Sequence, residues 1–260
     1  MNRLQFETAV ANKCGAMEAD AISKNGRNNP KSQMSRSCIF KFFAAIIAAS
    51  IVFSGCDKDK DDDSGGNTAS QIIAKVENAS KYSDVIKVKL TAWDYTAGKD
   101  DVLVTVDFKN GGFTLDLPET LAAKYLASFE ATFYRDEDEV NQLNISNKNA
   151  KMTLAEIEGF DADDESVTYF VYGKEDNNSS TVAYYIYSDS DVDISGTIKT
   201  TDDEYDWEDN ENYSLNLKKG WNVIYLIEYD STYKDGKEIS NASITSSPVS
   251  GLKWYGNEDW

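Results

Sequence analysis

Apolar and polar residues alternate with a period of two along most of the chain after residue 70. In the segment 85–92, for example, Val88 and Leu90 face one way while Lys87 and Lys89 face the other. This alternation is typical of a β-strand with one buried face. The predicted strands are 85–92, 102–108, 113–117, 151–157, 167–172, 181–187, 192–199, 213–217, 221–229, 239–245 and 252–255. The pattern predicts an all-β fold, an antiparallel β-sandwich or a barrel-like domain.

Two departures from the alternation refine this prediction. Asn110-Gly111-Gly112 is a tight-turn sequence, and it predicts a hairpin between the buried strand 102–108 and the strand 113–117. In Glu119–Phe129 the apolar residues recur every four positions after a proline, which predicts one short amphipathic helix. The acidic segment Arg135–Glu139 is predicted to be a loop. With only one helix, a parallel α/β fold is not expected.

We expect a boundary in the acidic loop near residue 136, which would divide the β region into two parts. Residues 71–135 form a first β lobe, and residues 136–260 form either a second lobe or a continuation of the same sandwich or barrel. The hairpin sequence 111–118 resembles transthyretin-like and carboxypeptidase-regulatory-like sandwich modules. The segments 217–222 and 252–255 resemble parts of Bacteroidetes lipoproteins. None of these resemblances implies an activity.

An apolar run stands near the start of the chain. Phe42–Phe53 is almost entirely apolar, follows the basic residues Arg36 and Lys41, and is followed by Ser54-Gly55-Cys56. A basic start, a short apolar core and small residues before a cut are typical of a secretory signal peptide. A transmembrane helix needs about 20 apolar residues, and the charged residues from Asp57 onward end this run too early. They would also continue poorly into a buried core helix.

The residues Phe53-Ser54-Gly55-Cys56 resemble a bacterial lipobox. This resemblance implies that 34–55 is a lipoprotein signal peptide and that Cys56 becomes the first residue of the mature protein. Cys56 would then carry a diacylglycerol thioether and an amide-linked acyl chain such as palmitate. Each buried methylene contributes about 0.8 kcal/mol, so several chains together anchor stably. Residues 1–33 lack periodicity and precede a second Met at position 34, so they are interpreted as a misassigned upstream extension.

Five aspartates lie within seven residues of the predicted lipidation site: Asp57, Asp59, Asp61, Asp62 and Asp63. This tract resembles the acidic export signal of Bacteroidetes surface lipoproteins. Its composition is also that of a solvated, disordered tether, and both interpretations can hold together. We therefore expect 56–70 to be an acidic flexible tether. The expected location is the outer membrane, on the cell surface of a Gram-negative bacterium.

Composition excludes several classes of function. The chain has 26 basic and 45 acidic residues; without the seven and three that lie in 1–55, the mature chain has 19 and 42, a net charge of −23. Nucleic acid is not an expected partner, because its binding needs a basic face. The chain has no histidine, which excludes His-dependent triads and His-ligated zinc. Cys56 is the only mature cysteine, so no intrachain disulfide is expected.

Three alternating carboxylates, Asp189, Asp191 and Asp193, resemble the start of a calcium loop. An EF-hand would have Gly at its sixth position and Glu at its twelfth, where this chain has Ile194 and Thr200. The favoured alternative is a turn followed by a strand whose outward face is acidic. We therefore expect no cofactor, with calcium at these three residues as a weak alternative.

The remaining candidate sites are aromatic and acidic. Trp93 and Trp207 stand at a strand end and in an acidic loop, where flat rings could stack on a sugar; Trp221 and Trp254 lie in alternating strands and are expected in the core. Paired carboxylates could hydrolyse glycosides, but nothing singles out a pair and no G-x-S-x-G nucleophile motif is present. The sequence therefore predicts a lipid-anchored, non-catalytic protein that is structural or binds a glycan, protein or other ligand. A calcium-stabilised adhesion module and a carboxylate hydrolase or its accessory domain are the alternatives.

Overall fold

The structure is a computed structural model that describes residues 69–202 and 206–260. The predicted extension 1–33, the signal peptide 34–55, Cys56 and the acidic tract 57–63 lie outside the described residues. Within the two described stretches, no helix has the length and apolar character needed to cross a bilayer.

The described chain is mostly β-strand, which confirms the predicted all-β class. The strands are β1 Gln71–Lys75, β2 Lys87–Asp94, β3 Lys99–Asp107, β4 Gly112–Asp116, β5 Leu143–Ile145, β6 Met152–Phe160, β7 Ser166–Asp176, β8 Ser179–Ser188, β9 Val192–Asp202, β10 Trp207–Leu217, β11 Gly220–Lys234, β12 Lys237–Thr245 and β13 Lys253–Gly256. The short helices are α1 Phe129–Phe133 and α2 Glu137–Val140, with 3-10 turns at Ala79–Tyr82 and Ala123–Tyr125.

The strands form two sheets. The main sheet has the order β3-β2-β6-β7-β8-β11-β12-β10-β9-β5, with β13 beside β7 and an additional pairing of β6 with β8. Its pairings are antiparallel except for β10 and β12, which run parallel. β1 and β4 form a separate antiparallel pair. The sequence predicts residues 136–260 as a second lobe or a continuation; the main sheet takes strands from both sides of that boundary.

The main sheet is covered on each face by a different hydrophobic core. On the face that we name the outer face, the β1–β4 pair contributes Ile72 and Leu115, which pack with Val88 and Leu90 of β2. Trp221 and Trp254 are also buried in this core, as predicted. Burying one such side chain contributes about 1.5–3 kcal/mol relative to leaving it exposed.

The opposite, inner face has its own core where the sheet curls through β9 and β10. Alternate residues of these strands point into it, as the period-two pattern requires. The fully buried members include Ile186, Ile194, Ile198, Leu217 and Ile224. Val192, Ile194 and Ile198 are therefore inward, which confirms the strand interpretation of the segment after Asp189.

The predicted hairpin at Asn110 is wrong in its strand pairing. The turn is present, with Asn110 and Gly111 at positive φ, but β3 pairs with β2 while β4 pairs with β1 in the other sheet. β3 is also an edge strand with an exposed Val102, and not the buried strand that its apolar residues predict. Tertiary pairing overrides the local turn signal here.

The predicted helix Glu119–Phe129 is also wrong. Leu121 packs against the outer-face core, whereas Phe129 lies in the inner-face core. One short helix cannot place these two residues on one side of one core, so the segment runs mostly extended between them. The helix α1 starts only after Ser128, whose side chain accepts a hydrogen bond from the backbone N–H of Ala131.

The acidic segment that was predicted as a loop contains the helix α2. Its N-terminus has a capping box, in which Asp136 and Glu139 each accept a backbone N–H from the other. The short strands β1 and β5 were not predicted at all. A five-residue and a three-residue strand carry too few alternations to be recognised from the pattern.

Candidate functional site

The inner face carries an exposed apolar surface beyond its core. Of the ten large apolar side chains that are exposed in the described chain, six belong to this one region. They come from β2's end, β3, the residue after α1, β7 and β8. These residues are Tyr95, Val102, Tyr134, Val167, Tyr169 and Tyr184. Exposed apolar groups gathered in one place are typical of a binding surface.

Three carboxylates lie among these side chains. Strand register places them: Asp100 of β3 is opposite Trp93 of β2, and Glu156 of β6 is opposite Thr91 of β2. Glu158, two residues further along β6, is opposite Tyr169 of β7. Because alternate residues share a face, Glu156 and Glu158 both point away from the buried Ile157. We name these carboxylates and the six apolar residues above the inner-face patch.

The charges of the inner-face patch act on one another. Crowding by surrounding protein atoms raises the pKa of the Glu156 carboxyl to about 7, and the charges of Asp100 and Glu158 raise it further. Burial also raises the pKa of the Asp100 carboxyl. The Glu156 side chain remains open to water, so this residue combines a disfavoured negative charge with access for a ligand. Strongly shifted carboxyls in such places are candidates for functional residues.

The tyrosines surround the same carboxylates. Crowding by surrounding protein atoms raises the pKa of the partly exposed Tyr184 to about 12, and the charges of Glu228 and Glu156 contribute. Burial first, and then the charges of Glu158, Glu156 and Asp100, raise the pKa of Tyr169. Burial, followed by Tyr95, Asp100 and Glu156, has the same effect on Tyr134. Strand register independently places Tyr169 opposite Glu158, so this ring and this carboxyl share one face of the sheet.

No cation of the described chain forms an ion pair with Asp100 or Glu156. Glu158 is held instead by hydroxyl donors, at 3.4 Å from the Thr91 Oγ1 and 3.0 Å from the Ser166 Oγ. Lys89 is next to Glu158 by register. Its ammonium, however, lies 2.7 Å from Asp164 and 3.7 Å from the centre of the Phe160 ring.

A half-buried polar cluster lies beside the inner-face core. Arg135, between α1 and α2, donates to Glu211 of β10, and the same guanidinium is 3.1 Å from the Tyr213 hydroxyl. Tyr213 in turn donates to Glu211 at 2.9 Å. Burial lowers the pKa of Arg135, but Glu211 and Tyr213 outweigh it and the net shift is upward. This cluster joins the helical segment to the sheet.

The structure places the predicted aromatic residues on the inner face but apart. Trp93 is half-buried at the edge of the inner-face patch, opposite Asp100. Trp207 is half-buried at the start of β10, opposite Asp202 and Glu238, in the same row as Tyr213.

The three predicted calcium residues each have a different partner. Asp189 accepts from the backbone N–H of Lys151 at 2.9 Å, and Asp191 accepts from the backbone N–H of Lys219 at 2.8 Å. Asp193 accepts from the side-chain amide of Asn216 at 2.5 Å. Across residues 69–202 and 206–260, no group of three acidic or cysteine side chains is arranged to hold a metal ion.

Comparison with known protein families, with curated proteins and with solved structures finds no match.

Sequence reasoning missed most of the inner-face patch. In the sequence, Glu156 and Glu158 alternate with Ala155, Ile157 and Gly159. Any strand with one solvated face shows this pattern. The one available signal was the run of exposed-face tyrosines on neighbouring strands. That signal depends on which strands are neighbours, and the pairing is not local in sequence.

Proposed function

We propose that this chain is a lipid-anchored surface protein whose β domain binds a glycan through the inner-face patch without catalysing a reaction. The observation that supports binding is the concentration of six exposed apolar side chains around three carboxylates that have no ion pair in the described chain. Tyrosine rings offer flat faces to the C–H side of a sugar. Carboxylate oxygens accept hydrogen bonds from its hydroxyl groups.

Anchorage rests on the sequence around Cys56. The lipobox resemblance of 53–56 supports lipidation, and the acidic tract 57–63 supports export to the surface. Growing cells with a fatty-acid analogue tests this directly: we expect the wild-type chain to be labelled and Cys56→Ser to be unlabelled. Labelling of the variant would contradict the anchor.

The binding proposal is tested on a glycan array with the full-length protein in detergent. Tyr169→Ala and Tyr184→Ala should each raise the Kd of a glycan that binds on the array by about tenfold, equivalent to about 1.4 kcal/mol. Tyr233→Ala is the matched control, because Tyr233 is exposed on the β11–β12 hairpin, away from the patch. Silence across the array, or equal losses for all three variants, would contradict the proposal.

A carboxylate hydrolase is the second candidate, and Glu156 favours it. A carboxyl whose pKa is raised to about 7 beside further carboxylates has the properties of a general acid. Incubating bound oligosaccharides with the protein and measuring new reducing ends separates the two candidates. Cleavage that is lost in Glu156→Gln would establish the hydrolase, whereas intact oligosaccharides support a binding protein.

A further inference from the structure

The inner-face patch is negatively charged and aromatic at the same time. Asp100 and Glu156 have no cationic partner in the described chain, and Lys89, the cation beside Glu158, is engaged by Asp164 and Phe160. Four exposed tyrosines belong to the same patch, and one of them, Tyr169, is opposite Glu158 by register. A neutral or acidic ligand would leave the mutual repulsion of the carboxylates in place. A cation would relieve it.

We infer that the ligand of the inner-face patch is a glycan that carries positively charged amino groups. This inference rests on the glycan binding proposed above and adds the charge of the ligand. An ammonium placed between Asp100 and Glu156 gains Coulomb attraction from both. Tyrosine faces add cation–π attraction, which also operates on quaternary ammonium groups.

The dimensions of the patch favour a chain of sugars over a single small amine. Its residues extend from β3 across β2 and β6 to β7 and β8, both of which pair with β6. With about 4.8 Å between strands, the patch is about 14 Å wide. A surface of this width, with rings on both sides of the carboxylates, accommodates more than one sugar ring.

Charge disfavours acidic occupants of the inner-face patch. A second copy of the chain would bring the net charge of −23 of its residues 56–260 onto an acidic surface, and the chain's own segment 57–63 carries five aspartates. Like charges brought together in this way repel. A lysine peptide has the required charge but lacks flat, hydroxyl-bearing rings, so it serves as a separate arm of the test.

The experiment compares four-residue oligosaccharides by calorimetry on the full-length protein. One tetramer consists of glucosamine units whose amines are trimethylated, so its positive charge does not depend on pH. The other has N-acetylated units and is neutral. We expect the charged tetramer to bind at least about tenfold more tightly, which is about 1.4 kcal/mol. Tetralysine should bind more weakly than the charged tetramer.

Variants locate the charge recognition. Asp100→Asn and Glu156→Gln should each reduce the preference for the charged tetramer by about threefold or more, because the charged tetramer should lose more affinity than the neutral one. Glu119→Gln is the control, since Glu119 is exposed after β4, next to the Pro118 that accepts from the outer-face Trp221. The far-UV circular dichroism of each variant verifies its fold. In addition, the carboxyl ¹³C signal of Glu156 should shift when the charged tetramer is added.

The outcomes separate this inference from the proposed function. Equal binding of the two tetramers overturns the inference and leaves glycan binding in place. Binding of neither tetramer, together with a silent array, overturns both. Tetralysine that binds as tightly as the charged tetramer overturns the inference in favour of a cationic peptide. A preference that survives both Asp100→Asn and Glu156→Gln overturns it as well.

Discussion

At the scale of single residues, Glu156 is the one carboxyl of the described chain whose pKa is strongly raised. Its pKa is raised to about 7 in the folded protein, against about 4.3 in an unfolded chain. Between about pH 4.3 and about pH 7, the Glu156 carboxyl is therefore mostly protonated in the folded state and mostly ionised in the unfolded state. It follows that this residue makes stability fall as the pH rises from about 4.3 to about 7, and that the loss is complete above that range.

Glu156→Gln should remove this loss. At pH 8 we expect the free energy of unfolding to rise by about 1 kcal/mol, a value reduced from the full shift because water reaches the side chain. At pH 4 the variant and the wild type should be equally stable. Urea unfolding at both pH values measures the difference. As a control, Glu119→Gln should change stability by less than about 0.5 kcal/mol at either pH. An equal effect of Glu156→Gln on stability at both pH values would contradict this explanation.

Residue-scale prediction from the sequence succeeded where burial follows alternation. Trp221, Trp254 and Ile194 are buried as their strands require. Prediction failed where a residue's role depends on its neighbours across the sheet. The sequence pattern predicts Glu156 to be an ordinary solvated residue, because its neighbours Asp100 and Tyr169 come from other strands, β3 and β7.

At the scale of elements, α1 and α2 are joined to β10 by Arg135. The guanidinium donates to Glu211 from a largely buried position and is also 3.8 Å from Glu139 of α2. Removing one partner of such a pair leaves an uncompensated charge away from water, which usually costs about 3–5 kcal/mol. Replacing both partners with apolar residues avoids this penalty.

Arg135→Met should therefore lower the free energy of unfolding by about 3 kcal/mol, because Glu211 loses its cation. The double variant Arg135→Met with Glu211→Leu should recover most of this loss, to within about 1 kcal/mol of the wild type. Urea unfolding at pH 7 measures both. A double variant as unstable as Arg135→Met would show that the pair does not act through charge.

Element positions were predictable from the sequence, but element partners were not. Most strands lie within a few residues of their predicted limits because alternation is a local property. The pairing of β3 with β2 and of β4 with β1 is decided by which apolar faces meet, and the turn at Asn110 contains no information about that. The same reasoning explains why the parallel pairing of β10 with β12 was not foreseen.

At the scale of the whole molecule, net charge is the dominant feature. Residues 56–260 contain 19 basic and 42 acidic residues, and this excess of negative charge is self-repulsive. Raising sodium chloride from about 0.01 M to about 0.15 M shortens the Debye length from about 30 Å to about 8 Å. The melting temperature should therefore rise by a few degrees.

Calcium chloride at the same ionic strength should give the same rise, because Asp189, Asp191 and Asp193 are occupied by different protein donors. Differential scanning calorimetry with and without a chelator measures this. A larger rise with calcium that the chelator reverses would contradict the expectation and would indicate a metal site in this acidic turn.

The position of β12 also determines when the main sheet can be completed during folding. β12 lies between β11 and β10, so β9 and β10 join the rest of the sheet only through it. β12 follows β10 and β11 in the sequence, yet it pairs with β10 in parallel, so one edge of β10 stays free until β12 has docked. During that interval the free edge of β10 is open to wrong partners. Its first half, Trp207-Glu208-Asp209-Asn210-Glu211, is strongly acidic. Charged residues on an unpaired strand edge disfavour aggregation until the correct strand has paired.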